Sequence, residues 1–300
     1  MKTNFDVVIV GAGPAGTTAS ILLANAGWRV ALVEKQVFPR RKVCGECVGA
    51  TNLPLLQSLG VGAAFARAAG PELLQVALLQ GNRSVVADLP PAGDGPRRWG
   101  RALGRETLDT MLLEQATLSG VQVMQPWSLH AFNGCAGDWQ CDVRDKTSTS
   151  TLSLHSAVAI DAHGSWESLP CEREHRLGSH ADLLAFKANF TGASLKTGLL
   201  PLLSFEGGYG GMVIADQGVL TLACCVRRDQ LESLRRASPG LTAGDTVEAM
   251  LRRECAGVRL ALGPASRVGP WLAAGPLRPG IRLRPDDQIF RIGNAAAEAH

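Results

Sequence analysis

Aromatic residues are scarce in this 300-residue chain, at 5%, with a single tyrosine, Tyr209. Charge of one sign is scarce as well: 30 Lys and Arg stand against 27 Asp and Glu, a net +3. With neither a basic field nor a stacking platform, nucleic acid is not expected as a partner. The six histidines stand in no ligand spacing with cysteine or carboxylate, so no metal is expected. Eight cysteines (44, 47, 135, 141, 171, 224, 225 and 255) form no repeating framework, and reduced thiols in a cytoplasmic protein are the plain expectation. Repeats and low-complexity tracts are missing. What is there, 46% hydrophobic and 19% charged residues, belongs to a globular chain of one large or two interleaved domains.

From Val7 to Trp28, 22 residues carry no charge, and Ala24-Asn25-Ala26 resembles a signal-peptidase site. Asp6 and the helix breakers Gly11, Gly13, Pro14 and Gly16 argue against a signal or a membrane span. A different reading accounts for every glycine. FDVVIV (5–10) has the apolar, β-branched run of a strand buried on both faces. GAGPAG follows, then TTASILLANAG, with Ala19, Leu22, Leu23 and Ala26 at helical spacing. WRVALVEK is a second buried strand ending at Glu34, with Lys35 beside it.

This is a βαβ unit with a G-x-G-x-x-G turn, Gly11-Ala12-Gly13-Pro14-Ala15-Gly16, and an acid 18 residues beyond the last glycine. Gly11 permits the tight turn, Gly13 lets backbone approach a pyrophosphate, and Gly16 lets helix pack on strand. The helix N-terminus stabilises the phosphate charge, and Glu34 can accept from an adenosine ribose. The expectation is dinucleotide binding.

Residues 73–89 read as two strands around Gly81-Asn82. GRETLDTMLLEQATLSG is a helix with Leu108, Met111, Leu112 and Gln115-Ala116 on its period, and VQVM follows as a strand. Residues 128–156 alternate like an antiparallel meander, and AVAID (157–161) reads as a further short buried strand. Antiparallel strands are expected over 182–228, with turns at Gly207-Gly208 and 216–218, then a helix over 242–255 capped by Thr242 or Asp245. A Pro/Gly-rich stretch (264–285) precedes QIFRIGNAAAEAH, read as a strand, a Gly-Asn turn and a small-residue helix.

The expected fold class is α/β plus antiparallel β: a Rossmann-like, doubly wound domain over 1–72, 98–170 and 276–300, interleaved with an antiparallel-sheet substrate domain over 73–97 and 171–275.

FPRRKVCGECVGA (38–50) leaves three readings of Cys44 and Cys47 open: a dithiol, half of a zinc site, or an incidental pairing. Four separated stretches, GAGPAG with Glu34, FPRRKVCGE, GRETLD and RIGNAAAEAH, together resemble the FAD-dependent oxidoreductases of the geranylgeranyl reductase and flavin-halogenase-like group, within the single-Rossmann flavoprotein monooxygenases. AIDAHGSW is similar to that group's D-A-x-G segment. The resemblance implies FAD as cofactor, with Cys44 and Gly45 lining it through backbone contacts, so that the C-x-x-C spacing is incidental. It also implies that Arg105 contacts FAD. It places Gly293 and Asn294 at the family's G-D turn, where asparagine departs from aspartate and loses a charge-assisted bond.

The implied activity is that of a cytoplasmic FAD-dependent oxidoreductase, monooxygenase or reductase. Its substrate is expected to be an apolar or aromatic small molecule, with NAD(P)H as possible electron donor. The flavin carries the chemistry, and no side chain is singled out as catalytic. Substrate is expected near Leu199 to Phe205, Tyr209 and Met212, which are also ordinary core residues. Contact with a membrane surface is expected only for a lipid substrate. Halogenases carry W-x-W-x-I-P where this chain reads GGYGGMVIA, which counts against halogenation. An early C-terminus and Asn294 also leave a truncated or non-catalytic flavin binder open.

Overall fold

The computed structural model describes residues 3–93, 99–165, 179–277, 279–282 and 288–298. Cys171, Trp166 of the AIDAHGSW segment and His300 lie outside the described residues.

The β-branched run at the start forms β1 (Asn4–Val10), followed by α1 (Pro14–Asn25) and β2 (Val30–Val33). Short β3 (Cys47–Val48), α2 (Leu53–Ser58) and α3 (Gly62–Ala68) lead to the hairpin β4 (Gln75–Gln80) and β5 (Arg83–Asp88). Next come β6 (Arg101–Ala102), α4 (Arg105–Leu118) and β7 (Gln122–Met124). The meander is β8 (Trp127–Cys135), β9 (Asp138–Asp145) and β10 (Thr151–Asp161). Strands β11 (Leu183–Thr191), β12 (Leu199–Phe205), β13 (Gly208–Ala215) and β14 (Val219–Arg227) precede α5 (Arg228–Ala237), α6 (Ala243–Glu254) and α7 (Ala256–Leu262). The chain closes with β15 (Ser266–Leu277), β16 (Gly280–Ile281), β17 (Phe290–Arg291) and β18 (Ala297–Glu298).

The first sheet runs β7-β2-β1-β10-β9-β8, with β17 added beside the end of β10. β1 is parallel to β2 and β10, as a βαβ unit requires. Val7 and Ile9 are fully buried against the helices, and Val8 is fully buried on the opposite face. Each such side chain contributes about 1.5–3 kcal/mol of burial. The opposite face is covered by Trp127, Cys141, Val143 and Leu154 of the strands, so among the described residues this sheet is not wound by helices on both sides. The crossover from β7 to β10 is made by the β8–β9 hairpin instead of a helix.

The second sheet runs β15-β11-β14-β13-β12-β4-β5 and packs one face on α5, α6 and α7. Thr242 caps α6, its hydroxyl accepting from the Asp245 amide at 3.2 Å. Among the described residues no helix is long and apolar enough to cross a membrane.

Three local expectations are corrected, and one stretch without an assignment is resolved. AVAID is not a separate strand but the end of β10, whose first half pairs with β9 and whose end pairs with β17. The Pro/Gly-rich stretch supplies β15, paired along β11 with two irregularities that absorb its glycines. No helix starts at Ala295: a three-residue turn at Gly293–Ala295 leads into β18, which pairs with β16. On α1 the buried face is Gly16, Thr17, Ser20 and Ile21, while Leu22 is exposed. Small residues win that face because the helix lies so close to β1, and Thr17 and Ser20 satisfy their hydroxyls on Gly13 O (2.9 Å) and Thr17 O (2.8 Å).

Candidate functional site

The G-x-G-x-x-G turn is built by close backbone approach. Gly11 has φ +104, where a side chain is strained, and a Cβ there would lie 2.4 Å from Ala162 O. A Cβ at Gly16 would lie 1.9 Å from Gly11 O, which is how tightly α1 packs onto the turn. Gly13 differs: its nearest neighbours would be Arg105 Nη2 at 3.8 Å and Arg40 Nη2 at 4.0 Å. Its hydrogen therefore faces an open space bounded by two guanidinium groups.

That space belongs to a cavity of about 520 Å³ lined by Gly11, Gly13, Pro14, Ala15, Glu34, Lys35, Cys44, Arg105, Gly293 and Asn294, among others. Of the thirteen expected binding positions, ten thus share one cavity. Ala12 is fully buried beneath it and donates its amide to Glu34 Oε2 at 3.0 Å. Gly16 is the packing contact just described, and Gly45 faces a second cavity. Glu34 also accepts from Gln36 N at 2.9 Å, which leaves each carboxylate oxygen a further lone pair.

Arg105 opens α4 and grips the fully buried Asp109 through two bonds, 2.6 and 2.8 Å. Arg40, nearly buried at 9% exposure, lies 3.5 Å from Asp109 and 3.7 Å from Glu34, and stacks 4.5 Å over the Phe38 ring. Its Nε and Nη1 are buried without a hydrogen-bond partner. Two acids hold this cation in place at the cavity wall, with Nη2 beside Gly13, where a guanidinium suits an anion. The N-terminus of α1 points the same way: its cap residue, Gly13, supplies no side-chain bond, and no acid occupies its first turn. These donors fit a pyrophosphate.

The far wall comes from distant sequence. Fully buried Asp161 ends β10, pairs with the His163 ring and accepts the His163 amide at 3.2 Å, with Arg291 Nη1 3.4 Å away. Asn294 donates its amide to Ser165 Oγ at 2.8 Å, a bond that an aspartate could make only by accepting. Gly293 packs on the first turn, since a Cβ there would meet Ala15 Cβ at 2.8 Å.

A second cavity of about 490 Å³ lies under the open face of the second sheet. It takes Leu200, Leu202 and Tyr209 from the expected substrate region and is bordered by Met212, whereas Leu203, and with it the buried Met212, belongs to the core on the other face. The two cavities meet at Val43, Cys44, Ser165 and Asn294. Cys47 also lines the second. Cys47 is exposed, yet desolvation of its thiol, with Cys44 and Glu46 nearby, pushes it up to about 11. An attacking thiol needs the opposite shift. Sequence reasoning missed Arg40, Ser165 and His163 as site residues; Arg40 carried a signal, its place in FPRRK, while Ser165 had only its position after the D-A-x-G segment.

The FAD binding domain family matches residues 4–191. Conditioned medium factor receptor 1 of Dictyostelium discoideum is 26% identical over 98% of this chain and 59% of its own length. A menaquinone reductase of Mycolicibacterium smegmatis is 46% identical over 61 residues, 20% of this chain and 15% of that protein. The chain therefore spans well under two thirds of these relatives. In structure it is similar to a myxobacterial chondrochloren halogenase (TM-score 0.82, 19% identity, 100% of this chain and 70% of that one). It is similar also to a geranylgeranyl bacteriochlorophyll reductase-like protein of Thermoplasma acidophilum (TM-score 0.76, 15% identity, 98% and 71%). At those identities the likeness is one of fold. With the family matched across more than half of its length, and the donor set of its first cavity suited to a pyrophosphate, this chain belongs to the FAD binding domain family.

Proposed function

We propose that the chain is an FAD-dependent oxidoreductase, binding FAD in the first cavity and an apolar or aromatic small molecule in the second, with NAD(P)H as electron donor in a cytoplasmic setting. The observation that carries this reading is the junction of the two cavities at Val43, Cys44, Ser165 and Asn294. Strand membership supports the division into 1–72, 98–170 and 276–300 against 73–97 and 171–275, since β4, β5 and β11 to β15 form one sheet.

The α1 N-terminus, Arg40 and Arg105 hold the pyrophosphate, and the spare lone pairs of Glu34 accept ribose hydroxyls. Cys44 and Gly45 run beside the flavin ring, Asn294 and Ser165 close its other side, and the wall of Leu200, Leu202 and Tyr209 excludes water. When bound, FAD supplies either hydride transfer or oxygen activation. The menaquinone reductase match favours a reductase and a quinone-like ring as the first compound to screen. Halogenation is a second reading, favoured by the fold shared with the myxobacterial halogenase and weakened by GGYGGMVIA on β13.

The test is the absorption spectrum of purified, FAD-reconstituted protein under anaerobic NADPH. An oxidised-flavin band that bleaches and is restored by a quinone supports the reading. Protein that neither retains nor takes up FAD ends it. Arg40→Lys, which keeps the charge between Glu34 and Asp109 but loses the planar fork, should weaken FAD roughly tenfold or more while the protein stays folded. Titration of flavin fluorescence measures it. Cys47→Ser should leave flavin occupancy and bleaching within about threefold, because a thiol held protonated is a poor nucleophile. Lost bleaching with FAD still bound would restore the dithiol reading.

A further inference from the structure

The strip Cys44–Gly45 has little packing of its own. A Cβ at Gly45 would meet nothing within 4 Å, Cys44 is half-buried and Cys47 is exposed. Yet this strip forms the boundary between the two cavities. What holds it is the next residue. Glu46 is buried, at 3% exposure, and its backbone sits in the left-handed region, φ 63, which a non-glycine residue adopts only under constraint.

Its carboxylate bridges three elements. Oε1 pairs with Lys187 of β11, itself 3% exposed, and accepts the Arg105 amide at the start of α4 at 3.1 Å. Oε2 accepts from Thr221 Oγ1 of β14 at 2.5 Å. The backbone of Glu46 adds two bonds: its carbonyl accepts Leu103 N at 3.1 Å, and its amide donates to Cys44 Sγ at 3.3 Å. A buried ion pair is a weak device for stability alone, since apolar residues of similar size often serve as well. Here it ties the second sheet to the flavin loop and to the helix that presents Arg105.

We propose that Glu46 is a positioning residue for the cofactor: held by Lys187 and Thr221, its carboxylate fixes both the Cys44–Gly45 strip and the first turn of α4. The second sheet thereby sets the geometry of the first cavity. This inference rests on the FAD reading.

Two double variants separate positioning from folding. Glu46→Gln with Lys187→Met removes both charges and keeps an acceptor for the Arg105 amide. Glu46→Ala with Lys187→Met removes both charges and the acceptor. Thermal melting without FAD should place the two within a few degrees of each other. Titrated with FAD, the Gln pair should bind within about threefold of wild type and the Ala pair roughly tenfold or more weaker. Equal FAD affinity in the two folded variants overturns the proposal, since Glu46 would then only neutralise Lys187. Should the Ala pair fail to fold, Thr221→Val, which releases Oε2 alone, decides: FAD binding roughly tenfold weaker supports the proposal and affinity within about threefold of wild type overturns it. Wild-type protein that takes up no FAD sinks the cofactor reading itself, a separate result.

Discussion

Gly13→Val should yield a folded protein that no longer holds FAD. The position is unusual among the glycines of its turn. A Cβ at Gly13 meets nothing closer than 3.8 Å, and its nearest neighbours are the tips of Arg105 and Arg40. The fold itself does not need glycine there. Pyrophosphate does: its oxygens must reach the amides at the start of α1, and valine fills that volume with methyl groups. Each phosphate bond lost is charge-assisted, so two such bonds amount to about 3–6 kcal/mol, or a loss of affinity of roughly a hundredfold or more. The expected pair of results is an unchanged melting temperature without FAD and no measurable flavin uptake. A variant with full flavin occupancy would remove the pyrophosphate assignment of the turn.

Gly16→Ala, three residues on, should do the reverse and act on folding. Inside α1, alanine is favoured over glycine by about 1 kcal/mol in helix propensity. Against this, the new Cβ would sit 1.9 Å from Gly11 O and 3.2 Å from Ala162 Cβ, so backbone must move. Overpacking of this kind costs about 3 kcal/mol, and it wins. The net loss of about 2 kcal/mol corresponds to roughly 3 °C in melting temperature for a chain of this size. Calorimetry of the apo protein measures it directly. A melting temperature raised by the substitution would mean that α1 stands further from β1 than its contacts indicate.

The contrast between these glycines explains how much was readable beforehand. One G-x-G-x-x-G pattern contains both a folding position and a binding position, and spacing within a βαβ unit suffices to separate them. The β4–β5 hairpin and the Thr242 cap were legible for the same reason: each depends on residues adjacent in sequence. The misreadings share a cause as well. Helical period groups Ala19, Leu22, Leu23 and Ala26; Ala19 and Leu23 do pack on the core, but Leu22 is exposed, and the tight approach of the helix buries Gly16, Thr17 and Ser20. The tail NAAAEAH has helix-forming composition, and pairing of β18 with β16 overrides it. Arg40 was legible as a basic residue in a motif. Its unsatisfied nitrogens were not, because they depend on Glu34, Asp109 and Phe38 converging on it.

The split pairing of β10 has a consequence for the order of events at the ribosome. β1 emerges first and can pair with β2 at once, but its other edge waits for residues 155–161, and the end of β10 waits in turn for Phe290 and Arg291. Gly293, which rests on Ala15, emerges later still. Synthesis must therefore pass Gly293 before the cofactor cradle can close, and contacts of such separation form slowly. Until then the end of β10 is an unpaired parallel edge in a nascent polypeptide, the kind of surface that chaperones shield.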